Sequence, residues 1–194
     1  LPQKIRTVGG VDVHYAGNMG IGATTVVDYE PLELLETQVA TCEVKMPYIP
    51  TLLSFRELPP AVAAGKKLKL KPDVFLVDAQ GLAHPFRCGF ASHLGLALGK
   101  PTVGAAKSKL IGTEVEKDSR TLLVDRGEVI GEAVTTKPGA KPIYVSIGHM
   151  VSLETDVEIV RHCAKTRIPE PLRQAHNLAT KQRIRLASES KVNI

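Results

Sequence analysis

The chain has 194 residues, of which 43% are hydrophobic and 23% charged, with 16 Gly and 13 Pro. This balance suits one globular domain and excludes a collagenous, low-complexity or wholly disordered protein. The net charge is +5, and no apolar run reaches the ~18 residues that a membrane-spanning helix needs.

In chain order, Val8 to His14 alternates around glycines and reads as a first strand. Ile21 to Tyr29 and Leu34 to Val44 read as the next two. The short connections, Ala16 to Gly20 and Glu30 to Glu33, carry turn chemistry, which predicts an antiparallel meander. Thr51 to Leu58 has helical spacing, with Leu52, Phe55 and Leu58 on one face. Pro59-Pro60 is expected to interrupt it before Ala61 to Gly65 resumes. Val74 to Val77 is a continuous apolar run, as a strand buried on both faces should be. Arg87 to Leu98 reads as a helix of small residues ended by Gly99, followed by a strand from Thr102 to Ala105. Strands Thr121 to Val124 and Val129 to Val134 join at Asp125-Arg-Gly-Glu128, and Ile143 to Ile147 is the last. Glu154 to Ala164 and Pro171 to Arg185 read as helices. A meander followed by alternating helices and strands predicts an α/β fold, a mixed sheet with parallel strands after the meander and helices on both faces. The order is the ribonuclease H-like arrangement, in competition with other α/β folds on pattern alone.

Charge is unevenly placed. Up to Val160 there are 17 Lys and Arg against 18 Asp and Glu, and from Arg161 onward 8 against 2. The segment 161–194 is therefore a basic, helical C-terminal part of a single domain spanning 1–194, suited to a polyanion or to solubility. Aromatics are 4% with no Trp, which argues against base-stacking platforms. Cys42, Cys88 and Cys163 form no C-x-x-C pair and read as reduced, mostly packed thiols of a cytoplasmic protein. The first residues lack the apolar core of a secretory signal. They also lack an initiator Met, which leads us to expect missing residues upstream.

Asp12 sits between Val11 and Val13 in an apolar strand, where an unpaired carboxylate is costly. Asp78 ends the most apolar strand, and ligands gather at the carboxyl ends of strands in open α/β sheets. If the two strands are neighbours, both acids face one cavity and suit Mg²⁺, with Glu57 as a third carboxylate. His84 follows Asp78 closely in the chain. Lys107 and Lys109 follow a strand end, where either ammonium can neutralise a phosphate. Arg173, His176, Asn177 and Thr180 share one helix face. His14, His93, His149 and His162 show no partner pattern and are expected to be structural. Gly95 to Lys100 lacks the spacing of a phosphate loop, and no serine-nucleophile elbow or dinucleotide fingerprint is present.

Several of these residues fall in segments that resemble the endonuclease V family. They are Val8-Gly-Gly-Val-Asp-Val-His-Tyr15, Met46-Pro-Tyr-Ile-Pro50 with Phe55-Arg-Glu57, Val77 to Pro85, Pro101 to Lys109, and Ile168 to Arg173 with Ala175-His176. The resemblance covers nearly the whole chain. It implies a Mg²⁺-dependent DNA-repair phosphodiesterase, with Mn²⁺ able to substitute, that recognises inosine and nicks the same strand at the second phosphodiester bond to its 3′ side. It further implies metal binding by Asp12 and Asp78, with Glu57, His84, Lys107 and His176 completing the catalytic set. Nucleic-acid contacts are expected from Pro47, Tyr48, Ile49, Pro50, Gly81, Lys109 and Arg173, with Tyr48 as a wedge held stiff by two prolines. The partner would be inosine-containing DNA, the protein a monomer. An inosine-specific endoribonuclease and a non-cleaving inosine binder are the alternatives. Three departures stand out: Ala79 replaces the usual Gly, Phe86 precedes Arg87 where Arg commonly follows His-Pro, and few residues precede Val8 where members usually carry a helix.

Overall fold

Runs of Val, Thr and Gly build the first three strands, β1 (Thr7–Ala16), β2 (Met19–Asp28) and β3 (Leu34–Glu43), paired antiparallel as expected. The computed structural model describes residue 2 and residues 4–192. Next come α1 (Ser54–Lys67), β4 (Val74–Val77), α2 (Phe90–Leu98) and β5 (Thr102–Ala106). Strands β6 (Thr113–Lys117), β7 (Arg120–Asp125), β8 (Glu128–Val134) and β9 (Ile143–His149) precede α3 (Leu153–His162) and α4 (Glu170–Val192). The sheet order is β3-β2-β1-β4-β5-β9-β8-β7-β6, with β1, β4 and β5 mutually parallel and β9 antiparallel to β5.

Alternation along the strands feeds two cores. Val11, Val13, Phe75 and Val77 point to the face covered by α1 and α2. Val8, Leu76, Val103 and Val145 point to the face covered by α3 and α4. Each fully buried Val, Leu or Phe contributes roughly 1.5–3 kcal/mol. Even-numbered residues of β1 therefore face α4, and that decides where Asp12 points.

Two glycines set how closely helices approach. A Cβ at Gly10 would lie 2.0 Å from the Pro171 carbonyl oxygen, so only glycine admits the start of α4 onto β1. The Thr25 hydroxyl donates to the same carbonyl at 3.0 Å. On the opposite face, a Cβ at Gly22 would lie 2.2 Å from the Pro60 carbonyl oxygen.

That second contact corrects one expectation. Pro59-Pro60 does not interrupt the helix, which runs unbroken from Ser54 to Lys67. Each proline removes one intrahelical donor, but Pro60 is buried against Gly20 and Gly22 of β2, and this packing holds the helix through the gap. Helix α2 begins at Phe90, later than Arg87, because Arg87 takes a positive φ of 53° and Gly89 is the N-cap. Gly99 closes it in the left-handed conformation, as its position predicts. Strand β6 was not expected. Cys163 is buried and Cys42 half-buried, whereas Cys88 is exposed. Among the described residues no helix is long and apolar enough to cross a membrane.

Candidate active site

Asp12 lies on the α4 face of β1 and is 8% exposed. Its Oδ2 is 2.9 Å from His176 Nδ1 and 3.1 Å from His14 Nε2. The seat of Pro171 on Gly10 explains the first contact. Five residues of helix advance about 7.5 Å, and two residues of strand about 6.6 Å, so the seat brings His176 over Asp12. Burial raises the Asp12 carboxyl, but hydrogen bonds and charge from His14, the bond from His176 and the charge of Lys107 outweigh it. The carboxyl titrates below its ordinary value.

Asp78 lies just past the end of β4, and its N–H donates to the Val11 carbonyl at 3.2 Å, which sets it beside Asp12 at the same sheet end. The Lys107 ammonium pairs with Asp78 Oδ2. Burial, together with the charge of Asp12, still raises the Asp78 carboxyl despite Lys107. Glu57, in the first turn of α1, feels the same crowding. Burial first, then the charges of Asp12 and Asp78, push it up to about 8, against the opposing charge of Arg56. Arg167, which the sequence did not single out, donates to the carbonyls of Lys107 and Pro142 at 3.0 Å each and so braces the Lys107 turn.

Beside these acids opens a cavity of about 320 Å³ lined by Tyr48, Thr51, Glu57, Asp78, His84 and Lys107. Residues 47–50 are all exposed, and Tyr48 at 65% is no core residue. Arg56 fastens this loop to α1 by donating to the Met46 carbonyl at 2.9 Å. Thr51 has a φ of 68°, an unusual conformation for a β-branched residue. His84 is buried. Its Nδ1 accepts the Phe86 N–H at 3.3 Å, and it also bonds the Thr51 backbone. Burial, opposed by the Thr51 bond, lowers its pKa, so the ring is neutral at neutral pH. Lys109 lines the cavity too and pairs with Glu114 at 3.1 Å. Gly81 is buried, with its N–H donated to Ser146 Oγ at 2.9 Å, and a Cβ there would strike the Ile147 carbonyl. Its backbone donor is therefore already used within the fold.

His14 was expected to be structural and is instead part of the acid–imidazole cluster. The available signal was Asp12-x-His14 on one strand, since residues two apart share a face. Arg173 lies on the exposed side of α4 but clasps Glu170 at 2.6 and 2.8 Å, and its guanidinium is engaged there. Arg87 is tied to Asp125 and Glu128 of the β7–β8 hairpin.

In the basic segment 161–194, Arg161 lies in the last turn of α3, and Lys165 and Arg167 lie in the loop before α4, bonded to backbone carbonyls. Lys181, Arg183 and Arg185 are exposed on the outer part of α4. Phosphate contacts act on any sequence, each adding about 0.9 to the salt slope. Neutralising these three is therefore expected to flatten the salt dependence of binding equally for inosine-containing and control strands. An unchanged slope, or a loss confined to inosine strands, would refute it.

With this geometry, likeness to known proteins becomes informative. The family model for Endonuclease V matches residues 1–177. Endonuclease V of Thermofilum pendens is 48% identical over 183 residues, covering 93% of this chain and 79% of the relative. The crystal structure of the Streptomyces avermitilis endonuclease V superposes with a TM-score of 0.88 at 35% identity, covering 94% of this chain and 82% of the other. The Ciona intestinalis endonuclease V, in complex with a 24mer DNA containing an inosine followed by a ribo-adenosine, gives 0.85 at 33% identity, covering 95% and 89%. The sheet order is thus the ribonuclease H-like arrangement of those structures. The chain belongs to the endonuclease V family and is an endonuclease.

Proposed function

We propose that this endonuclease recognises inosine in a nucleic-acid strand and, with Mg²⁺, hydrolyses the second phosphodiester bond 3′ to it, an incision that begins repair of deaminated adenine. The observation that carries the reading is the juxtaposition of Asp12, Asp78 and Glu57 with Lys107 at the edge of a cavity whose other rim is the exposed Tyr48 loop. The relative crystallised on inosine-containing DNA supports the substrate.

The donor set fits a hard cation. Three carboxylates, Asp12 buried and Asp78 and Glu57 half-buried, share one site. Glu57 is driven up to about 8 by burial and then by the charges of the other two, a crowding that a divalent ion relieves. Asp12 and Asp78 would hold Mg²⁺, with Glu57 as the third oxygen donor. Bound there, the ion would supply Lewis-acid polarisation of the phosphate and charge for the leaving oxygen. Lys107 offers its ammonium to a non-bridging oxygen, and Arg167 keeps its backbone in place. Of the two candidate histidines, His176 is the one that orients the attacking water. It stands half-exposed against Asp12, whereas His84 is occupied with the backbone of Thr51 and Phe86. His84 then acts as a brace between the Asp78 loop and the Tyr48 loop.

The test is incubation with matched DNA and RNA strands, each with and without one inosine, with and without Mg²⁺, followed by product mapping. Nicking of inosine DNA alone, at the second bond and only with the ion, is the expected result. Cleavage confined to inosine RNA makes the protein an endoribonuclease, and binding without cleavage overturns the mechanism.

Tyr48 gives a sharper expectation. A wedge offsets the few kcal/mol of unstacking that accompany base extrusion, a cost nearly absent in a single strand. Tyr48→Ala is expected to lower activity on duplex inosine DNA by on the order of 10- to 100-fold, to affect single strands little, and to leave the melting temperature unchanged. Equal loss on both substrates would mean that the ring is no wedge.

A further inference from the structure

Three donor atoms meet on β1 and α4 in a way hydrogen bonds alone do not satisfy. Asp12 Oδ2 lies 3.1 Å from His14 Nε2 and 2.9 Å from His176 Nδ1, and the two ring nitrogens are 3.3 Å apart. If both nitrogens carry protons and donate to the carboxylate, two N–H groups face each other with no acceptor between them. If one imidazole donates to the other, the accepting lone pair is turned on a carboxylate oxygen. With Asp12 as a carboxylate, every placement of the ring protons leaves one of the three contacts repulsive.

A cation bound by all three atoms removes the conflict. With metal–ligand bonds of about 2.0–2.1 Å, neighbouring donors stand about 3.3 Å apart in a tetrahedral site and about 2.9 Å apart in an octahedral one. The observed edges of 2.9, 3.1 and 3.3 Å span that interval. Two imidazoles and one carboxylate suit a first-row transition metal, whereas Mg²⁺ prefers oxygen throughout. His14 Nδ1 is buried without a hydrogen-bond partner among the described residues, so no contact there pins the ring proton and keeps Nε2 from a metal.

We propose that Asp12, His14 and His176 form a binding site for a transition-metal ion of the Zn²⁺ class, distinct in donor set from the carboxylate site for Mg²⁺. Its consequence for activity rests on the function proposed above: the two sites share Asp12, and His176 is the group assigned to the water. An ion bound to the imidazoles therefore blocks nicking. Zn²⁺ is an inhibitor of this chain, and His14 is the residue that makes it one.

The full chain, stripped with a chelator, is titrated with Co²⁺ while its visible ligand-field absorption is followed, and Zn²⁺ is then added to displace it. The expected result is saturation at a single ion per chain, with binding weakened at least about a hundredfold in His14→Ala, since even outer partners of metal ligands are worth 10–100-fold. X-ray absorption of the Zn²⁺-loaded wild-type protein needs no variant, and two imidazole donors per zinc are expected. Equal Co²⁺ affinity in wild type and His14→Ala, or a zinc spectrum without imidazole scattering, overturns the site. Inhibition is read as the ratio of nicking rates with and without Zn²⁺ at fixed Mg²⁺, so a change in basal rate drops out. The ratio is expected to fall well below one in wild type and to stay near one in the variant. Inosine-strand nicking in Mg²⁺ alone tests the function separately, and its absence beside intact Co²⁺ binding would sink that reading and leave the site standing.

Discussion

Asp12→Asn or Asp78→Asn is expected to lower nicking of an inosine strand by about a thousandfold or more while much of the strand binding survives. Each amide keeps the shape of its carboxyl and removes the charge that would hold a divalent ion. Loss of the several kcal/mol that such an ion gives a transition state corresponds to a factor of that size. Binding should persist because the Tyr48 loop and the outer part of α4 stand on other residues, and the Asp78→Asn amide keeps the shape of the cavity wall. Asp12→Asn and Asp78→Asn carry a second signature: each removes one of the two charges that push Glu57 up to about 8, so Glu57 should ionise at lower pH. Single-turnover nicking in Mg²⁺, with strand binding measured in chelator, checks both halves. Near-normal cleavage by either variant would remove that acid from the metal assignment.

The second large effect concerns stability and lies away from the site. Asp156, in the first turn of α3, is fully buried, and neither carboxyl oxygen has a hydrogen-bond partner among the described residues. Burial, reinforced by Glu154, pushes it up to about 9 from 3.8. A carboxyl whose pKa rises on folding contributes its full stability below the unfolded value and loses it as pH climbs to the folded one. Between pH 4 and 9 the unfolded chain releases this proton and the folded chain keeps it, so stability falls with rising pH. Asp156→Asn cannot ionise. Its advantage over wild type should therefore grow with pH, by on the order of a hundredfold to a thousandfold in the folding constant between pH 5 and pH 8. Urea unfolding of both proteins across that range measures it, and parallel curves would show that the carboxyl is solvated or paired.

Much of the fold was legible because it depends on neighbours in the chain. The β1–β2–β3 meander followed from alternation and short turns, β4 from an unbroken apolar run, and the end of α2 from Gly99. The β7–β8 hairpin was readable from Asp125-Arg-Gly-Glu128, whose central residues take positive φ values of 52° and 80°. Strand β6 escaped notice although Asp118 and Ser119 make the same kind of turn, with φ of 50° and 61°. Its five residues are all exposed and carry no buried face, so pairing with β7 alone defines it. The helix through Pro59-Pro60 was hidden for a related reason, because what sustains it is packing on Gly20 and Gly22 of a distant strand.

At the site, the sequence by itself determined that Asp12 lies within an apolar strand, on the same face as Gly10 two residues before it, and that Asp78 directly follows the buried Val77. Strand period and apolar pattern act over a few residues, and they suffice for that. Only the tertiary structure decided what surrounds those acids. His176 is 164 positions from Asp12 in the chain, and the two meet because Gly10 lets Pro171 settle on β1. The same seat sets His176 beside His14, which shares a strand face with Asp12, at 3.3 Å between ring nitrogens. Short-range periodicity says which way a side chain points. Which partner it meets depends on how closely two elements can approach, and here a missing Cβ on one strand sets that distance.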